Sequence, residues 1–309
     1  MTKVFNNLYW TPFHFQQQLN SSDRLFFSSY GHISVVDLTN GITTNTFSNS
    51  TVIAGHEQHS GYIEGVGSAA RFRKITGFDQ NGTHIIAVDS GNHCIRTINI
   101  SSKKETKALA GTCCLAGYSD GPATDARFNS PQSIIKVKER GIQSNQYRYL
   151  ITDRCNDAIR MITENGTYVE TFIHLKKPID LVMDQEGANL YVTTASRLVQ
   201  INVISKVTLA ISSLNDVPQK ITPFTRGSFL ISYKSNSMLT VFDPAEQTVK
   251  QICRSRSAGI RQDLAEGLIT ECSISDTYSV YRTVMNGSSA TIIVGASKYI
   301  TTLPVKCKP

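Results

Sequence analysis

No apolar run in this chain approaches the roughly 18 residues that a membrane-spanning helix needs. The opening residues, Met1-Thr2-Lys3-Val4-Phe5-Asn6-Asn7, lack the apolar core of a signal peptide, so an exported form is expected to be a mature or excised segment. Dense basic blocks are missing too. The formal net charge is +7, yet Lys103-Lys104 and Lys176-Lys177 are only pairs. That favours a diffuse, solvated excess over a nucleic-acid arm, while still suiting an acidic partner. No C-x-x-C occurs, which argues against a zinc ribbon or redox motif. No G-x-S-x-G elbow occurs, and no stretch keeps a helical period over several turns.

What the chain does contain is one phrase written twice. Gly61–Phe72 reads G-Y-I-E-G-V-G-S-A-A-R-F and Gly117–Phe128 reads G-Y-S-D-G-P-A-T-D-A-R-F. They align without a gap. Each follows an Ala-Gly pair, Ala54-Gly55 or Ala110-Gly111, at the same distance. Self-similarity at a fixed period marks a repeat architecture, in which each unit buries its apolar face against the next.

After each copy come short apolar runs broken by Gly and Asn turns, which is an all-β signal. Strands are expected at Ile75–Phe78, His84–Val88, Cys94–Ile100 and Thr106–Ala110. The second copy gives Ser133–Val137, an insertion through Gln146, then Tyr149–Thr152 and Ala158–Ile162. The loop between second and third strands serves as a ruler. It recurs in Phe26–Val36, Ile86–Ile98, Leu150–Ile162, Leu190–Ile201, Leu230–Phe242 and Ile292–Leu303. The expected fold is therefore an all-β, six-bladed β-propeller with four-stranded antiparallel blades, a single domain over 1–309. The stretch Thr2–Asn6 is expected to pair with the last blade and remove an open edge.

Compartment is marked by two residue types. Asn-x-Ser/Thr triplets stand at Asn20, Asn49, Asn81, Asn99, Asn165 and Asn286, several in turn-like contexts, and read as glycosylated surface loops. The 7 cysteines are Cys94, Cys113, Cys114, Cys155, Cys253, Cys272 and Cys307, and disulfides in an oxidising compartment explain them best. Cys253 with Cys272 is the favoured pair. Cys94 is expected to take either Cys113 or Cys114, and Cys155 the remaining one. Cys307 is left over.

The pattern Gly117-Tyr118-Ser119-Asp120-Gly121, Ala126-Arg127-Phe128 and Pro131, together with Asp89-Ser90-Gly91-Asn92-His93-Cys94-Ile95-Arg96, resembles the NHL repeat. The likeness is clear in the second and third units. It is faint in the sixth, from Ala265-Glu266-Gly267 through Cys272-Ser273-Ile274-Ser275. The resemblance implies a β-propeller. It implies no single function, because NHL propellers include RNA-binding, protein-binding and enzymatic members.

Each constellation has a plain structural reading. Asp89 and Arg96 share their spacing with Asp153 and Arg160, and a pair that recurs once per repeat is expected to brace the blade. The phrase's glycines precede no helix and no Lys-Ser/Thr, so they are read as interblade turns rather than a phosphate cradle. His56-Glu57-Gln58-His59 is H-E-x-H in a loop, not a helical zinc motif. Lyase propellers carry a His set at the channel and lactonase-like propellers a calcium held by Glu, Asn and Asp; Lys74–Phe78 and Ser133–Val137 contain no His. No catalytic residue, metal or cofactor is therefore expected.

Tyr30, His32, His93, Arg154, Arg197, Lys234, Lys298 and Tyr299 fall in successive turns between second and third strands. They are expected to form a basic, aromatic loop face, since Arg and Tyr are enriched in binding hot spots. The leading expectation is an extracellular or cell-surface recognition module, or part of a membrane-anchored protein, that binds a protein or anionic glycan. An RNA-binding propeller and a metal-dependent hydrolase or lyase are the alternatives.

Overall fold

The computed structural model describes residues 14–18, 24–29, 31–37, 50–101, 104–138, 147–163, 166–214, 216–224, 227–233, 238–254, 277–286, 289–296 and 300–306. These form strands and short 3-10 turns, with no α-helix among them. The first sheet orders β1 (His14–Gln18), β2 (Arg24–Ser29), β3 (His32–Asp37) and β4 (Thr51–Gly55). The second runs β5 (Gly65–Val66), β9 (Glu105–Ala110), β8 (Cys94–Asn99), β7 (His84–Asp89), β6 (Ile75–Asn81). The third repeats that order with β10 (Gly121–Pro122), β14 (Tyr168–His174), β13 (Ala158–Ile162), β12 (Tyr147–Asp153), β11 (Pro131–Lys138).

The fourth sheet holds β15 (Pro178–Met183), β16 (Asn189–Thr194), β17 (Arg197–Asn202) and β18 (Thr208–Ser213). The fifth holds β19 (Pro218–Pro223), β20 (Phe229–Tyr233), β21 (Met238–Asp243) and β22 (Thr248–Arg254). The sixth has β23 (Thr277–Asn286), β24 (Ser289–Ala296) and β25 (Ile300–Lys306). All six ruler segments land on an antiparallel hairpin of second and third strands, β24 and β25 in the sixth sheet. β25 runs on to Lys306, so the residues expected to begin a fourth strand belong to the third. Thr2–Asn6 lies outside the described residues.

The chain divides into two compact units, Phe13–Leu181 in one and Val182–Pro309 in the other, the latter grouped with Met1–Pro12. In the first, side-chain alternation explains the stacking of sheets. Along β7, Ile85 and Ala87 join a cluster with Phe26, Ile33, Ile53 and Phe72. Ile86 and Val88 point the other way, into a cluster with Phe128, Ile134, Ile151 and Val169. A strand buried on both faces must carry apolar residues in a run, as β7 does. The Ala and Phe of each phrase fill these gaps: Ala70 and Phe72 in one cluster, Ala126 and Phe128 in the next. In the second unit, Tyr191, Phe229 and Phe242 pack with Leu198, Ile221, Ile231 and Tyr233.

The two five-stranded sheets were not anticipated. Gly65 and Val66 pair with Thr106 and Glu105, and Gly121 and Pro122 pair with Val169 and Tyr168. The repeated phrase thus adds a fifth strand to the outer edge of its blade. Edge strands left bare invite pairing with other chains, and this strand covers one. The phrase's carboxylate adds a second cover: Glu64 Oε1 accepts the Ala108 N–H at 2.8 Å and Asp120 Oδ2 accepts the Thr171 N–H at 3.0 Å. The turn joining β6 to β7 is tight. Asn81 pairs directly with His84, and Gly82 takes φ +57, a backbone that glycine adopts freely.

Candidate functional site

In the second and third sheets, the turn between second and third strands is a 3-10 turn, Ser90–Asn92 and Arg154–Asn156. Each is closed by a left-handed residue, His93 at φ 56 and Asp157 at φ 51. Behind each turn lies a buried polar network built from the repeated residues. Asp89 Oδ1 accepts the N–H groups of Arg73 and Lys74, both at 3.1 Å, while Oδ2 accepts Asn92 Nδ2 at 2.7 Å and Arg96 Nη1 at 3.4 Å. Asp153 Oδ2 accepts Asn156 Nδ2 at 2.8 Å and Arg160 Nη1 at 3.0 Å. The Asp–Arg spacing expected to brace the blade does so. Burial pushes both carboxyls above the ordinary carboxylate value, against the bonds they accept from Asn, Arg and main-chain N–H groups.

Both guanidiniums reach further, to the main chain of the phrase. Arg96 donates to the carbonyls of Ile63 and Arg71 at 3.1 and 3.3 Å, and Arg160 to those of Ser119 and Arg127 at 2.8 and 2.9 Å. Each is sandwiched between rings. Arg96 lies 4.6 Å from the Tyr62 centroid and 5.1 Å from Phe72; Arg160 lies 4.8 Å from Tyr118 and 5.2 Å from Phe128. A planar fork with five donors suits this role, and lysine would not. Asn92 and Asn156 complete the join, donating to the carbonyls of Gly61 and Gly117 at 2.9 and 2.7 Å. The strand-connecting turns and the repeated phrase therefore share one face of the first unit.

That face differs from the one read in the sequence. His32 does not belong to it, because it pairs with Gly55 at the head of β3 and is only 7% exposed. His93 is half-buried and already engaged: its Nδ1 accepts the Ser130 N–H at 3.0 Å, tying the second sheet to the entry of the third. Asp157 does the same one sheet later through the Lys177 N–H at 2.8 Å. Arg154 is half-buried on its turn, and Arg197 is exposed at the start of β17 in the second unit. Tyr30, Lys234, Lys298 and Tyr299 lie outside the described residues.

The side chains that do project from this face came from the phrase itself, which was read as turn alone. Tyr62 is 37% exposed and Tyr118 48%. Arg73 and Arg127 are exposed. The signal was present, since both copies place a Tyr one residue after the first Gly.

The cysteines are resolved in part. Cys94 bonds Cys113, and Cys114 and Cys155 are free and exposed. Cys155 therefore does not take the remaining thiol. Cys114 sits over the turn of the second sheet, with its N–H on the Asn92 carbonyl at 2.7 Å and its Sγ 3.7 Å from Asn92 Oδ1. Cys155 belongs to the next turn, bonded to the Asn129 carbonyl at 3.1 Å. The Cys253–Cys272 pair and Cys307 lie outside the described side chains. Of the sequon residues, Asn81 is exposed at the end of β6, Asn99 is half-buried at the end of β8, and Asn286 ends β23. Asn20, Asn49 and Asn165 lie outside the described residues, as does the faint sixth-unit motif at Ala265–Ser275. Among the described residues no three His, Cys, Asp or Glu side chains gather to hold a metal ion, and no helix is long and apolar enough to cross a membrane.

Stacked antiparallel sheets, two of them entered by a loop that first covers the outer edge, decide the class. The fold is a β-propeller. Solved structures agree. A chain in the crystal structure of a nidogen/laminin complex matches with TM-score 0.58 at 14% identity, covering 91% of this chain and 92% of its own. A gluconolactonase from Xanthomonas campestris matches with TM-score 0.61 at 11% identity, covering 96% and 87%. Virginiamycin B lyase from Staphylococcus aureus, in complex with quinupristin, matches with TM-score 0.55 at 12% identity, covering 100% and 99%. At these identities the likeness shows the propeller fold alone. No protein-family model matches the chain, and no curated protein matches it in sequence.

Proposed function

We propose that this propeller is an extracellular recognition module of the NHL type, one domain over 1–309, whose face of phrase and turns docks an acidic protein segment. The observation that carries the reading is the exposure of two rings and two cations on the repeated phrase and the segment that follows it. Tyr62, Tyr118, Arg73 and Arg127 are all exposed, and Arg154 is half-buried on its turn. Both rings are held from behind by a buried guanidinium, so they are presented at little cost in conformational entropy. The Cys94–Cys113 bond and the six sequons support an oxidising, glycosylating compartment. The nidogen/laminin chain is a propeller from a protein–protein complex, which supports a protein partner without naming one.

The test is the triple charge reversal Arg73→Glu, Arg127→Glu and Arg154→Glu, with binding measured to a peptide rich in Asp and Glu. Affinity at low salt should fall by about ten- to a hundred-fold, chiefly through a slower on-rate. Unchanged affinity rejects the face. Binding of heparin or of single-stranded RNA, with none to the peptide, replaces the partner class. Intact mass before and after glycosidase and reductant checks the compartment.

A further inference from the structure

Exposed apolar side chains gather at one sheet edge. Ile204 is 74% exposed, Val207 66% and Leu209 55%. They lie on and just before β18, the outer strand of the fourth sheet. The registers match this edge to those of the two preceding sheets. Thr208 lies opposite Ile201, as Thr106 lies opposite Ile98 and Val169 opposite Ile162. In those two sheets the same positions pair outward with Gly65 and Gly121, and the N–H groups of Ala108 and Thr171 go to Glu64 and Asp120. β18 has no such outer neighbour among the described residues.

The chain does not supply a cover from the usual place. Only 175–177 link β14 to β15, which is too short to carry the phrase. The parts that hold the phrase are replaced as well. Val199 lies opposite Ala210 where Arg96 lies opposite Ala108 and Arg160 opposite Thr171. β16 ends on Thr194 where β7 and β12 end on Asp89 and Asp153. Nor is the edge defended by charge. The equivalent strand β22 carries Lys250, paired with Glu246 at 3.2 Å, whereas β18 reads T-L-A-I-S-S. An exposed, apolar, uncharged edge strand is a template for another strand.

This edge is complementary to itself. The Val207 carbonyl accepts the Asn202 N–H at 2.9 Å, so the main chain of Val207 faces β17 and that of Thr208 faces outward. Turned about a two-fold axis beside Thr208, two copies set Thr208 against Thr208 as a hydrogen-bonded pair. Val207 then meets Leu209 on either side, and Lys206 meets Ala210. Like charges do not oppose each other, and the exposed apolar side chains cover one another. Thr–Thr and apolar pairs are favourable cross-strand contacts. We propose that β18 is a self-association edge, through which two copies of this chain join their fourth sheets into one antiparallel sheet. Such an interface is isologous and closes at two copies.

Sedimentation velocity on the full chain tests it, in a Cys114→Ser/Cys155→Ser background so that these exposed thiols cannot join chains. Dimer should form reversibly with a midpoint of about 10–100 µM, because a strand-to-strand contact lies at the small, transient end of interfaces. A monomer up to about 200 µM, well above that range, overturns the pairing and leaves the edge to a strand from another protein. Thr208→Pro removes the outward donors of the central pair and spares the bonds to β17, since proline is tolerated where an edge N–H faces solvent. Leu209→Lys, at an exposed position, replaces an apolar pair with a charge. Each should raise the midpoint about ten-fold or more. An unchanged midpoint in either folded variant overturns the assigned edge. Cross-linking under mild oxidation reads the register. A mixture of the Val207→Cys and Leu209→Cys proteins should give a mapped 207–209 disulfide between chains, in excess of 207–207 and 209–209. A dimer without that excess overturns the two-fold pairing.

Discussion

Arg160 Nε donates to Asp120 Oδ1 at 3.1 Å, whereas Arg96 Nε, at the same place one sheet earlier, is buried without a partner. The difference traces to one methylene. Where the second copy of the phrase has Asp120, the first has Glu64, whose Oε1 is taken by the Ala108 N–H and by the Tyr62 hydroxyl at 3.3 Å. The two networks are thus equivalent in plan and unequal in satisfaction. The third sheet should withstand local opening better than the second.

Truncating the better network should be severe. Arg160→Met removes the partner of the buried Asp153 and four further donor contacts to Asp120, Ser119 and Arg127. A loss of about 3–5 kcal/mol is expected in denaturant unfolding, because the carboxylate is left uncompensated. Arg160→Lys should recover little, and adding Asp153→Asn to Arg160→Met should recover part.

The left-handed glycine of the Ala-Gly pair is a second sensitive point. Gly111 has φ +93, and a Cβ there would lie 2.8 Å from Phe128 Cδ2. Gly111→Ala should cost about 1–3 kcal/mol from backbone conformation and the crowded ring together. Thermal unfolding of the variant checks this.

Cysteine chemistry separates cleanly in the native state. Iodoacetamide should label Cys114 and Cys155, both exposed, and leave Cys94 and Cys113 unlabelled. Reduction, or Cys94→Ala with Cys113→Ala, should lower stability by about 2–4 kcal/mol. Peptide mapping after labelling reads the first outcome and denaturant unfolding the second.

The His93 tie between sheets should be acid-sensitive. Its Nδ1 must be unprotonated to accept the Ser130 N–H. Burial lowers its pKa, the Arg73 charge lowers it further, and Asp89 raises it. The unfolded chain therefore binds the proton more readily, so stability falls as pH drops through about 6.5. His93→Asn keeps an acceptor and tolerates the left-handed backbone. It should flatten part of that fall, as read from unfolding midpoints across pH.

Strand placement was legible because it needs only local pattern. The β7 run His84-Ile85-Ile86-Ala87-Val88 and the turns around it mark a strand buried on both faces wherever it sits. The brace was legible for a similar reason: Asp and Arg at fixed spacing around one turn recur in both repeats. The fifth strands were not, because Gly65-Val66 and Gly121-Pro122 are too short and too rich in Gly and Pro to read as strands. Only their pairing with β9 and β14 makes them so.

The sequence by itself determined the all-β class, the hairpin of each sheet and the choice of Cys94 as one end of a bond, since turn chemistry and side-chain alternation act over a few residues. Tertiary structure alone decided which positions face solvent. Whether His32 is buried, His93 is spent on Ser130, or Tyr62 projects outward depends on which sheet packs against which, and that is set by contacts far apart in the chain.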